Sequence, residues 1–405
     1  MEATEIERRK GLSGTFALNK FEPIHRWYKY DEGYSSEFII NELRNLPIQV
    51  KSIYDPFGGS GTTLLVAAQF GIDSIFSEIN PFMAFVTETK INTVRQIQPV
   101  KNEVLNELRR LLNLLKDRQI SIDNFDLYDG FEKYYKPEVL NQLLSLKAFI
   151  KNNFNENSLR ILLLGLASIT VKVSNMIKRG DLRYAKGKEK KPDDFDVFLQ
   201  FSSKLEQIIE DIDGFSDSVQ STTFLINNDA RKVAIPFEVD CVITSPPYLN
   251  GTNYIRNTKL ELKLLDFIKT ESELPLFHSK GIMAGINSVS NRRTIPFILD
   301  EVKEYVEALE PIAYDKRIPV MVAGYFYDMD LVFSRLEKFI KNNGIFIMDI
   351  GDSQFAGIHI PTDKILLEIA NKHGFKLYDE ETLRTRRSKN KMILSQKVLR
   401  FQLKK

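Results

Sequence analysis

Apolar and polar positions alternate along the chain in two registers, and the change of register divides it. Residues 50–54 form a short apolar run, 62–70 a helix-like run, and 74–76 a second apolar run that ends at Glu78. A further helix is expected from near Pro81. That order predicts a β-α-β-α opening to a parallel sheet. From about residue 96 to 215 the apolar residues recur instead at three- and four-residue spacing, in VLNELRRLLNLL, VLNQLLSLKAFI, LRILLLGLASITVKV and FLQFSSKLEQII. This is the period of amphipathic helices, and the block reads as a helical insertion.

Strand-like runs resume at 223–226 and 239–243. A second, smaller interruption covers 251–315 and includes 287-NSVSNRRT-294. The apolar run 318-IPVMVAGYF-326, a helix over 331–341 and 344-GIFIMDIG-351 then restore the α/β rhythm. A helix over 364–373 follows, and residues 392–394 and 398–403 read as hairpin strands. The expected organisation is one α/β sheet domain interrupted twice. Its core pieces are 1–95, 216–250 and 316–405, and its insertions are 96–215 and 251–315.

Composition narrows the function classes. The chain has 405 residues, 43% apolar and 27% charged, which are the proportions of a globular protein. A net charge of +2 leaves any nucleic-acid affinity to local basic patches. A single cysteine, Cys241, excludes internal disulfides and a cysteine-based metal cluster. Four scattered histidines give no paired ligand spacing, so no metal is expected. The start, MEATEIERRKGLSG, has no apolar signal core, and the apolar stretch 159–171 is too short for a membrane span. A cytoplasmic protein with no membrane role is expected.

The first candidate for chemistry is 53-IYDPFGGSGTTLLVAAQFG-71, a strand, three glycines within four positions, and a helix. Such a loop brings backbone N–H groups close to a ligand. A phosphate-binding P-loop would need lysine where Gly61 stands, and G-x-G-x-x-G lacks its third glycine. Asp55, leading the loop, suits a ligand with a cationic group. Glu78, ending the second strand, stands where an acid grips ribose hydroxyls. Asp229, in 227-NNDAR-231, is the next acid along that edge.

The second candidate is 240-DCVITSPPYLN-250. Pro246 and Pro247 fix φ and remove two N–H donors, leaving carbonyl acceptors. Ser245 adds an acceptor and Tyr248 a flat face with a polar tip. Acceptors beside a stacking platform suit a planar group that carries an exocyclic amine.

With both motifs in one chain, the sequence resembles the DNA amino-methyltransferases, the N4-cytosine and N6-adenine enzymes that use S-adenosylmethionine. The segments 25-HRWYKYDEGYSSEFIINEL-43 and 349-DIGDSQFAGIHIPTDKILLEIANKHGF-375 are similar to further family segments, over the methionine end of the cofactor and beside the base pocket. The resemblance implies a Rossmann-like methyltransferase sheet. It implies that Asp55, Phe57, Gly58, Gly59, Gly61 and Thr62 surround the methionine part of the cofactor, with Glu78 at the ribose and Asp229 at the adenine. Ser245, Pro246, Pro247 and Tyr248 would hold the target amine of a flipped base. Serine at the head of the tetrapeptide is more typical of the N4-cytosine enzymes. A cysteine nucleophile is ruled out, because Cys241 lies in an apolar strand with no adjacent proline.

The implied partner is double-stranded DNA, with a companion restriction endonuclease as a further one. Its expected contacts are Lys178, Arg179, Arg183 and Lys186 in the basic loop 178–194, then Arg256, Arg292 and Arg293. The segment 384-RTRRSKNKM-392 is a third basic stretch. Which insertion reads the target is open, because the larger one precedes the Asp229 strand. Two rivals stand beside this reading, a transfer-RNA guanine-N2 methyltransferase and a non-catalytic DNA-binding subunit.

Overall fold

The structure, a computed structural model, describes residues 11–125, 130–192, 195–215, 221–227, 229–235, 237–249, 252–289, 295–388 and 390–405. Its first two strands, β1 (Ser52–Asp55) and β2 (Asp73–Ser77), pair in parallel with Tyr54 opposite Ile75. The strands that follow are β3 (Met176–Arg179), β4 (Asp181–Tyr184), β5 (Thr223–Asn227) and β6 (Val239–Thr244). After them come β7 (Ile340–Gly351), β8 (Ser353–Phe355), β9 (Ile358–Ile360), β10 (Phe375–Arg387) and β11 (Ile393–Leu403).

Seven of these make one sheet in the order β10-β11-β7-β6-β1-β2-β5. Only β11 runs against the others. This is a mixed α/β, Rossmann-like sheet. From β1 the chain steps outward to β2 and β5, then returns to β6 on the opposite flank. The order therefore reverses between β1 and β6, and a crevice opens there at the carboxyl ends of the strands.

The helices are α1 (Ser36–Asn45), α2 (Thr62–Gln69), α3 (Pro81–Lys116), α4 (Pro137–Asn153), α5 (Glu156–Val173) and α6 (Val197–Gly214). They continue with α7 (Lys259–Leu264), α8 (Leu274–His278), α9 (Asp300–Leu309), α10 (Arg317–Phe339) and α11 (Thr362–Lys372). Helices α3 to α6 share one apolar core, which runs through Leu108, Leu143, Leu164 and Phe201 to Phe76 and Trp27. The other face of the sheet is covered by α9 to α11 through Phe326, Phe333 and Leu366.

Three details differ from the periodicity. The helix begun at Pro81 and the VLNELRRLLNLL run are one helix, α3, so a division at 95/96 falls inside it. One buried face from Ile91 and Val94 through Val104, Leu108 and Leu111 keeps it continuous past Pro99. The run 318-IPVMVAGYF-326 is helical, the first part of α10. Its apolar positions continue at helical spacing as Met329, Val332, Phe333 and Leu336, and burial on nearly every side gave it the look of a strand. The closing residues do not pair with one another. They form one strand, β11, against β10, with Phe375 opposite Leu403 and Arg387 opposite Ile393. β10 was missed because FKLYDEETLRTRR is an edge strand with few buried positions.

Among the described residues no helix is long and apolar enough to cross a membrane. Nor does any group of three His, Cys, Asp or Glu there have the arrangement to hold a metal.

A buried carboxylate fixes the segment that precedes α1. Asp211 on α6, 4% exposed, accepts from Ile24 N at 2.8 Å, Trp27 Nε1 at 2.9 Å and Arg26 Nε at 3.0 Å. Removing it leaves the Trp27 indole N–H and the Ile24 N–H without their partner, and the Arg26 guanidinium with Glu210 alone, at 2.8 Å. Asp211→Ala is expected to cost about 3 kcal/mol. Urea unfolding checks this, and a loss below about 1 kcal/mol would mean that the segment is held some other way.

Candidate active site

A cleft with about 1130 Å³ of empty space opens where the strand order reverses. The ends of β1, β2 and β6 supply its floor as Asp55, Ser77 and Ser245, and Asp229 follows β5. Gly58, Gly59, Ser60 and Thr62 form one wall, and Tyr30, Glu32, Gly33 and Tyr34 lie across it. The segment 252–255 and His278, Lys280, Gly281 and Ile282 close the far side.

The loop's path depends on its glycines. Gly59 and Gly61 have φ of +51° and +79°. A Cβ on Gly61 would lie 2.9 Å from Thr87 Cγ2, and one on Gly59 would lie 3.1 Å from Tyr30 Cε1. Gly61 N donates to Gly58 O at 2.8 Å, and Gly58 N to Ser77 O at 3.0 Å. Two side chains of α3 hold the loop's carbonyls on the protein side. Thr87 Oγ1 donates to Gly59 O at 3.0 Å, and Lys90 Nζ to Ser60 O at 3.2 Å. Lys90 Nζ also reaches His25 O at 3.2 Å. The lysine is fully buried, which with the nearby Lys204 lowers its pKa to about 7.

Asp55 is buried at the head of the loop. Its Oδ1 accepts from Thr244 Oγ1 at 2.7 Å and Phe57 N at 3.0 Å, and its Oδ2 from Tyr34 at 3.2 Å. Burial still pushes its pKa up, because none of these partners is a cation. Glu78 accepts from Gly59 N at 2.9 Å and Asn80 N at 2.8 Å, one N–H to each oxygen. Burial raises its pKa to about 7 against those bonds. Asp229 reaches the cleft, but both its oxygens are taken by the fork of Arg231, at 2.9 Å each. Arg231 also binds Asp328 at 2.8 Å. Phe57 and Thr62 line the cleft as well, and Thr62 Oγ1 accepts from Asn19 at 3.3 Å.

Ser245, Pro246 and Pro247 border the same cleft. Tyr248 stands behind them, its ring so close to Gly351 that a Cβ there would sit 3.1 Å from it. Its hydroxyl is hydrogen-bonded to Ser245 and Asp349, and its backbone N–H donates to Tyr254 at 3.0 Å. Asp349 is itself buried, with a pKa raised to about 7 chiefly by that burial, and Gln396 Nε2 donates to it at 2.8 Å.

The predicted basic residues divide. Lys178 pairs with Glu32 at 3.0 Å, so it braces the cleft wall. Arg183 and Arg179 pair with Glu189 at 2.8 and 3.3 Å. Lys191 donates to the carbonyls of Val171 and Met176, at 2.6 and 2.9 Å. Lys186 and Arg256 are exposed. Arg292 and Arg293 lie outside the described residues.

Several cleft and support residues were not singled out from the sequence: Tyr30, Tyr34, Lys90, Thr244 and Gln396. Tyr30 and Tyr34 fall within the segment 25–43, whose resemblance pointed to the cofactor as a whole and not to those side chains. Thr244 is the residue before Ser-Pro-Pro-Tyr, and only its contact with Asp55 gives it a part. Lys90 and Gln396 carry no local signal, since each acts across a long separation in the chain.

No protein-family model matches the chain. It is 28% identical to the type II methyltransferase M.AvaI of Nostoc sp., over 93% of this chain and 84% of that protein. It is 26% identical to the type II methyltransferase M.BsoBI of Geobacillus stearothermophilus, over 96% and 85% of the two chains. The type II methyltransferase M.MvaI of Kocuria varians matches at 24% identity, over 89% of this chain and 84% of its own length. Nearly the whole chain is thus similar in sequence to type II methyltransferases, and its glycine loop and Ser245 to Pro247 border one cleft.

Proposed function

We propose that this chain is a site-specific DNA methyltransferase that transfers a methyl group from S-adenosylmethionine to an exocyclic amine, with the N4 amine of cytosine favoured over the N6 amine of adenine. The observation that carries the reading is the meeting of two motifs at one topological switch point. The glycine loop with Asp55 and Glu78 offers a donor site, and Ser245 to Pro247 offer acceptors across the same cleft. The names of the homologues agree with it.

The residues fit a cationic sulfonium ligand. Among the described residues no cation pairs with Asp55 or Glu78, so the floor of the cleft carries uncompensated acidic groups. Asp55 and the loop would hold the methionine part, Glu78 the ribose hydroxyls, and Asp229 the adenine side. Bound there, S-adenosylmethionine supplies an electrophilic methyl group. Ser245 Oγ and the Pro246 carbonyl accept the two N–H bonds of the amine, which turns its lone pair into the cleft. Tyr248 supports the base after it leaves the duplex stack. Positioning and electrostatics then account for the rate, with no covalent intermediate on the chain. Serine at the head of the tetrapeptide supports the cytosine preference. A companion restriction endonuclease belongs to the same reading.

Incubation with labelled S-adenosylmethionine and mixed-sequence DNA is expected to label DNA, and nucleoside mass spectrometry to find N4-methylcytosine. N6-methyladenine alone would overturn the base assignment, and label in transfer RNA without DNA would overturn the substrate. Tyr248→Ala is expected to lower methylation roughly tenfold to a hundredfold, the worth of a stacked base, while keeping cofactor affinity. Asp55→Asn is expected to weaken cofactor binding by about tenfold or more. Wild-type values for both variants would sink the site assignment.

Cofactor affinity should also follow the ionisation of Glu78. Its carboxylate accepts the ribose hydroxyls, and burial sets its pKa near 7, above the ordinary carboxylate range. Affinity is therefore expected to be full at pH 8 and to fall as the pH drops through 7. Calorimetric titrations that show constant affinity from pH 8 to 6 would remove Glu78 from that role.

A further inference from the structure

The strongest unassigned feature is the hairpin of β10 and β11. β7 ends at Gly351, opposite Gln396 of β11, and Gln396 lies opposite Arg384 of β10. Just beyond that point Ser395, opposite Thr385, still accepts from Asp352 N at 2.8 Å, while Leu394 and Ile393 lie opposite Arg386 and Arg387 alone. At a rise of about 3.4 Å per residue, the hairpin extends roughly 7 Å past the last β7-side contact, with its turn further out. Ser388 N donating to Met392 O at 2.9 Å and Lys391 N to Ser388 O at 3.0 Å close that turn. It projects from the carboxyl edge of the sheet, the edge that holds the cleft.

Charge along the hairpin is sorted by position. Its acidic residues lie near the middle of β10 and are matched. Asp379 and Glu381 bind Arg400 at 2.8 and 2.7 Å, and Glu380 lies 3.5 Å from Lys397. Toward the tip the order reverses. Arg386, Arg387 and Lys391 are exposed, and none has an ion-pair partner among the described residues. Lys178, Arg179 and Arg183, in contrast, are each paired with a glutamate.

The base of the hairpin is joined to the amine site. Arg384 Nε donates to Gln396 Oε1 at 2.6 Å, Gln396 Nε2 donates to both oxygens of Asp349 at 2.8 and 2.9 Å, and Asp349 bonds Tyr248. Whatever the tip holds is therefore fixed in position relative to Tyr248.

We propose that this hairpin is an arm that grips the phosphate backbone of duplex DNA beside the reacting base, through Arg386, Arg387 and Lys391. It rests on the methyltransferase reading above and adds the surface that seats the substrate. Exposed cations without carboxylates on a narrow two-stranded projection fit a polyanion, and their affinity comes from counterion release.

The test uses the full chain and a mixed-sequence DNA duplex, with binding measured by anisotropy over a range of salt. Arg386→Ala/Arg387→Ala/Lys391→Ala is expected to weaken duplex binding about a hundredfold at moderate salt. It should also flatten the slope of log affinity against log salt by about 3, near one unit per lost phosphate contact. S-adenosylmethionine affinity should stay at the wild-type value. A control variant, Lys376→Ala/Lys404→Ala/Lys405→Ala, removes three charges from the opposite end of the same hairpin and should bind duplex normally. Equal losses in both variants would reduce the effect to net charge and overturn the arm. Loss of binding to RNA or to an acidic protein, without loss for duplex DNA, would overturn it as well. Wild-type protein that binds no DNA would remove the methyltransferase reading together with the arm. Wild-type protein that methylates DNA, beside a triple variant that matches it in affinity and slope, would remove the arm alone.

Discussion

The hydrogen bond from Thr244 Oγ1 to Asp55 Oδ1, 2.7 Å long and buried, ties together the ends of β6 and β1. These strands flank the point where the sheet order reverses, so their ends diverge into separate loops. One loop is the glycine turn and the other is Ser-Pro-Pro-Tyr. A single carboxylate therefore sets the distance between the proposed donor site and the proposed acceptor site. Burial raises its pKa, and four hydroxyl or N–H partners, Thr244, Phe57, Thr63 and Tyr34, oppose that rise. The cleft's geometry thus depends on an acid that also gives it negative character.

The rest of the fold supports that point from two sides. From above, Asp211 and Lys90 hold the segment 24–27 against α6 and α3, which carries Tyr30 and Tyr34 across the opening. From the far flank, Gln396 on β11 fixes Asp349, and Asp349 fixes Tyr248. Each support crosses a long separation in sequence, so the site is assembled only when the whole sheet is formed. Helices α3 to α6 contribute by packing, and their part in the cleft passes through α3, whose Thr87 and Lys90 set the loop's peptide planes.

What the sequence disclosed follows from the range of each interaction. The glycine loop was legible because its chemistry is local, a turn that needs positive φ at Gly59 and Gly61 next to an acid. Ser-Pro-Pro-Tyr was legible for the same reason. The parallel opening of the sheet followed from short apolar runs separated by one helix each. Two elements were misread where burial hid the period: α10, apolar almost all round at its start, and β10, too polar to look like a strand. Charge runs were misleading in another way. Counting cations in 178–191 pointed to an open basic loop, whereas Glu32 and Glu189 neutralise three of them. Partners of that kind are invisible until the fold brings them together.

The most direct test is a crystal structure of the protein with S-adenosylhomocysteine. The product's amino-acid end is expected beside Asp55 and the glycine loop, its ribose hydroxyls on Glu78, and its sulfur facing Ser245 across the cleft. A ligand seated elsewhere, or one placed in the cleft with its sulfur turned away from Ser245 and Pro246, would contradict the joining of donor and acceptor through Asp55 and Thr244.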